Sequence, residues 1–72
     1  MFEPEHGDVL LRGSALQGFV VLDAVSDAVL HSAAPFETSL AFAKARRARV
    51  IWIQHVDDRG RAIGIPQRIL EP

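Results

Sequence analysis

The residues of this 72-residue chain whose types could do chemistry are three histidines, His6, His31 and His55, and the adjacent carboxylates Asp57 and Asp58. His55 lies two positions before Asp57, and on a strand that spacing puts both side chains on one face. A carboxylate beside an imidazole is the start of a general-base arrangement, which still needs a nucleophile and a pocket. Neither is signalled: there is no Gly-x-Ser-x-Gly elbow and no His-Glu-x-x-His pair. His31 stands next to Ser32, on the opposite face of its strand, and His6 follows Glu5 in an acidic arm. A zinc site from His6, His31, His55 and Asp57 has no ligand spacing behind it. The chain has no cysteine, which excludes disulfides and thiolate metal sites. Asp57 and Asp58 open "DDRG", where adjacent acids serve more often as turn formers, bonding their own backbone. Gly60 and Gly64 bracket "RAI" without the lysine or the following helix of a phosphate loop. No catalytic residue, metal or cofactor is therefore assigned, and the expectation is a non-enzymatic protein.

A second kind of chemistry would be contact with phosphate. The run "KARRAR" carries Lys44, Arg46, Arg47 and Arg49, and Arg59, Arg61 and Arg68 extend it if the last hairpin lies alongside. Lys44 and Arg47, three apart, share a helical face. These bases would grip a nucleic-acid backbone, or they would simply complement the negative end of a helix dipole. The second explanation is preferred. Net charge is −1, and the aromatic pairs that stack on unpaired bases are missing. Nucleic-acid binding stays as the alternative function. Charge is uneven along the chain: residues 1–37 hold six acids against Arg12, and residues 38–72 hold seven bases against three acids. Opposite halves neutralise each other in one folded domain, or complement a second copy.

These residues must be positioned by a single small domain spanning residues 1–72. The apolar fraction of 49% and charged fraction of 24% suit a folded chain. "MFEPEHG" (1–7) reads as an irregular arm, "DVLLR" (8–12) as a short and doubtful strand, and "GSALQG" (13–18) as a loop. "FVVLDAV" (19–25) is rich in β-branched residues and reads as a strand, apolar on both faces. "SD" (26–27) is a turn and "AVLHS" (28–32) a returning strand. After the break at Pro35 a helix is expected from Thr38 to Ala48, capped by Thr38 or Ser39, with Glu37 before it and Phe36 stapling its entry. "RVIWIQHV" (49–56) is the strongest strand. Val50, Trp52, Gln54 and Val56 point to one face, and Arg49, Ile51, Ile53 and His55 to the other. "DDRG" turns the chain into "RAIGI" (61–65), where Gly64 marks a bulge and Pro66 an edge or an end. Residues 67–72 form a tail anchored by Ile69 and Leu70.

The expected fold is thus α+β: a small antiparallel or mixed sheet of four to five strands with one helix on one face, in the order β(β)βαββ. The order resembles that of many small bacterial ββαβ domains, in order alone, so no site is carried over. Placing 49–56 beside 19–25 keeps the sheet antiparallel and is the preferred arrangement. A helix of about 11 residues spans about 16 Å, enough for one face. The strands 19–25 and 49–56 are apolar on both faces, so something must cover the second: the first residues, or another copy. A large uncovered apolar patch marks a contact site, and the expected partner is a second copy in a symmetric dimer, with Ile51, Trp52, Ile53, Phe19 and Val21 at the interface. No leader or membrane-spanning run of roughly 20 apolar residues is visible, and cytoplasm is the default location.

Overall fold

Two apolar runs joined by a short loop make the first hairpin. Val9–Ser14 (β1) and Gly18–Asp23 (β2) pair antiparallel across Ala15–Gln17, with Leu11 opposite Val21. The computed structural model describes residues 2–69. Gly13 is required by the closeness of this pairing. A Cβ there would meet the Gly18 carbonyl and stand 2.7 Å from the Phe19 Cα. The chain then turns through Asp27, at φ 64°, into Val29–Ala34 (β3), antiparallel to β2. Two register shifts interrupt that pairing, one on each side of Val21, which stands against His31. The other strands are Ile51–Val56 (β4) and Ala62–Arg68 (β5), again an antiparallel pair.

The sheet order is β3-β2-β1-β4-β5, and β1 runs parallel to β4. The architecture is the small α+β fold of one helix on one five-stranded sheet, and the sheet is mixed. The expected neighbours 19–25 and 49–56 are separated: β1, the doubtful strand, lies between them. The reason is burial. Val9 and Leu11 point under the helix and Leu10 points to the opposite face, and all three are buried. A strand apolar on both faces belongs at the centre of a covered sheet. Its parallel pairing with β4 needs a long crossover, and the chain from β2 through the helix supplies one.

The helix, Phe36–Ala45 (α1), starts two residues earlier and stops three earlier than expected. Pro35 stands at the N-cap with φ −55° and ψ 153° and no side-chain cap. Neither Thr38 nor Ser39 caps it. Ser39 is buried inside the helix, and its hydroxyl donates to the Phe19 carbonyl at 3.0 Å. The proline sets the boundary because its fixed φ suits the approach and its missing N–H costs nothing there. At the far end the Arg47 N–H donates to the Lys44 carbonyl and the Ala48 N–H to the Ala43 carbonyl, while Arg47 takes φ 57°. This is a Schellman stop, with arginine where glycine is usual.

The helix packs on β1, β2 and β3. Beneath it lie Val9, Leu11, Phe19, Val21 and Ile51, met by Ala43, Leu40 and Phe36 of the helix itself, with Ile53 beside them. The second face has its own cluster of Leu10, Leu22 and Ala24, packed by Phe2, Val20 and Trp52. Its cover therefore includes the N-terminal arm: the Phe2 ring meets Trp52 edge-on, with centroids 4.9 Å apart. The expected tail is strand up to Arg68, and Ile69 packs on the helix-side core; Leu70 lies outside the described residues. No described helix is long and apolar enough to cross a membrane.

Candidate interaction surface

The strongest polar constellation is one the sequence did not single out. Asp8, at the entry to β1, is 1% exposed. Arg49 grips its carboxylate with Nε at 2.7 Å and Nη2 at 3.0 Å, Trp52 Nε1 donates at 3.1 Å, and the Glu5 N–H donates at 3.0 Å. Arg49 also pairs with Glu5 at 3.2 Å. Burial pushes the Asp8 pKa up, but the hydrogen bonds from Arg49, the Glu5 backbone and Trp52, with the Arg49 charge, outweigh it. The carboxyl is held below its ordinary value. The Arg49 guanidinium is correspondingly pushed up by its bond to Asp8. Every carboxylate oxygen is occupied, and the cluster fastens the arm to β4. It is a structural clamp in which both carboxylate oxygens already accept hydrogen bonds. Its only sequence signal was an acid next to an apolar strand, because its partners stand 41 and 44 residues away.

Asp57 forms its turn. One oxygen accepts from the Arg59 and Arg61 N–H groups, both at 2.9 Å, and the other pairs with Arg61 Nε at 3.4 Å. His55 instead points to the helix side, its ring 6.0 Å from that of Phe19. His31 lies 4.6 Å from the Phe42 ring. Among the described residues, no three of His, Cys, Asp or Glu come together as a metal site.

The basic residues are split by the fold. Lys44, Arg46, Arg47 and Arg49 gather where α1 ends and β4 begins, whereas Arg59 and Arg61 sit in the turn at the far end of β4. A six-residue strand separates the groups by about 20 Å. Arg49 is bound to Asp8, Arg61 to Asp57, and Arg46 lies 6.0 Å over the Phe42 ring. Beside Arg46 and Arg47 is a cleft of about 110 Å³ that also takes in Asp8, Asp23 and Leu30. Asp23, however, turns one oxygen onto the Val25 and Ser26 N–H groups of its own turn.

The apolar residues expected at an interface divide too. Phe19, Val21 and Ile51 are buried in the chain's own core beneath the helix, so they offer no surface to a partner. Trp52 and Ile53 are half-buried on opposite faces. Leu16 and Val25 stand exposed in the turns, and beyond the helix, on β5, Ile63 is 57% and Ile65 63% exposed. Ile63 pairs with His55 and so shares the helix side with Ile53. The edge itself is interrupted. Between Ile63 and Gln67 the strand bulges at Gly64, with φ 69°, opposite Gln54, whose amide Nε2 donates to the Gly64 carbonyl at 3.1 Å. At the other edge, Val29 is 65% exposed. No protein-family model, curated protein or solved structure matches this chain.

Proposed function

We propose that the chain is a non-catalytic protein-contact module that self-associates through the β5 side of its sheet. The observation that supports this most is the exposure of Ile63 and Ile65 on an edge strand, next to half-buried Ile53, beside a sheet that has a buried cluster on each face. Each such side chain forgoes about 1.5–3 kcal/mol while it stays in water, which is substantial for a domain of this size. The bulge and Pro66 hinder extension of the backbone ladder, so the contact is one of side chains. The basic residues give the nucleic-acid alternative less support, being divided between two ends of β4 and partly engaged in ion pairs.

Sedimentation of the whole chain across the micromolar range tests this. The wild type is expected to associate, and the Ile63→Lys/Ile65→Lys variant to remain monomeric with an unchanged circular-dichroism spectrum. A wild type that stays monomeric throughout rejects self-association. Salt-sensitive retention on heparin by that monomer would favour the nucleic-acid alternative instead.

A further inference from the structure

We propose that His55 makes this self-association depend on pH: copies join while its imidazole is neutral and part when the ring takes a proton. The inference rests on the self-association reading and names what regulates that surface.

Position is the first ground. His55 stands directly opposite Ile63 in the β4–β5 ladder and two residues along β4 from Ile53, so the three side chains share the helix side of the sheet. The helix packs on β1, β2 and β3. Beyond it, His55 and Ile63 are both exposed. A second copy that covers Ile63 and Ile53 therefore takes the imidazole out of water with them.

The surroundings of the ring are the second ground. Against His55, β1 presents Gly13, β2 the Phe19 ring at 6.0 Å, and β5 Ile63. None of these titrates. The charged groups on the neighbouring elements are Asp57, Asp58, Arg59 and Arg61 in the turn after β4, and Glu37 beside Phe36 at the start of α1. Asp57 is engaged by the Arg59 and Arg61 N–H groups and by Arg61 Nε. Among the described residues the only hydrogen-bonded histidine ring is that of His31, at the Ser32 carbonyl. An imidazolium at His55 thus relies on water, which a second copy would displace. In a two-fold contact, the commonest kind, two such rings enter one interface and their charges oppose each other. Covering disfavours the charged form. The joined chains then hold fewer protons than the separate ones, and association weakens as pH falls through the ordinary imidazole range of about 6.5.

Sedimentation equilibrium of the full chain at pH 8 and pH 5.5 decides it, with circular dichroism at both to confirm folding. The wild type should associate about 10-fold less tightly at pH 5.5. His31→Gln, on the opposite edge strand, should keep that difference, and His55→Gln should lose it. Equal or tighter wild-type association at pH 5.5, or a pH dependence that follows His31 instead, overturns the role of His55 and leaves self-association standing. A wild type monomeric at pH 8 overturns both. Should His55→Gln fail to fold, the imidazole proton resonances of the wild type still decide. The His55 titration midpoint must fall as rising concentration drives association, and a midpoint that stays or rises overturns the proposal.

Discussion

Asp8 is the acid that the fold takes out of water, and it illustrates how a charge becomes structural. Its carboxylate is held below the ordinary value of 3.8. A group with a depressed folded pKa adds stability above its unfolded value, and that contribution is lost as pH falls through the folded one. Thermal denaturation should therefore show the melting temperature dropping below about pH 4, with a smaller drop in Asp8→Asn. Asp8→Ala, which leaves the Trp52 N–H without its acceptor and Arg49 with Glu5 alone, should cost about 2–4 kcal/mol in urea titration. Arg47 is a residue of the opposite kind. It holds φ 57° at the helix stop, a conformation that costs an L-residue about 1–2 kcal/mol. Arg47→Gly, which also gains freedom when unfolded, should be more stable by about 0.5–1 kcal/mol in the same titration. The turn role of Asp57 was legible in "DDRG" because its bonds are local. Asp8 was not, because residues 49 and 52 reach it only when β4 lies beside β1.

Among the elements, β1 depends most on a single position. Gly13 sits where β1 passes closest to Gly18 and Phe19, and it is space rather than a special φ that excludes a side chain. Gly13→Ala should lose about 3 kcal/mol, measured by thermal or urea unfolding, whereas Gly60→Ala meets no neighbouring atom and pays only for its positive φ of 79°. The helix shows how local signals compete. Thr38 and Ser39 are good capping residues, yet Pro35 starts the helix ahead of them, and Ser39 turns its hydroxyl onto the sheet. In β5 the expected bulge at Gly64 is present, and Pro66 is buried within it on an edge strand. Both positions were readable because a missing Cβ and a missing N–H act locally, whatever strand lies beside them.

At the scale of the whole molecule, one helix and one arm divide the work of covering a sheet. The arm's part is testable because Trp52 is the only tryptophan. Phe2→Ala removes the ring against it and should shift Trp52 fluorescence to longer wavelength, with a loss of about 1–2 kcal/mol. An unchanged spectrum would mean that the arm does not shield the second face. The sequence by itself determined the α+β class, which residues of 19–23 and 51–56 share a face, the turns and the place of the bulge, since each follows from a period of two or from one residue's backbone chemistry. It also showed that the second face needs a cover. Only the tertiary structure decided that β1 is central and parallel to β4, that Ile51 faces the helix while Trp52 faces the arm, and that Ile63 and Ile65 stay in water on an edge strand. Those outcomes depend on which distant strands become neighbours. That choice is made by the summed burial of many residues, and no local stretch of sequence records it.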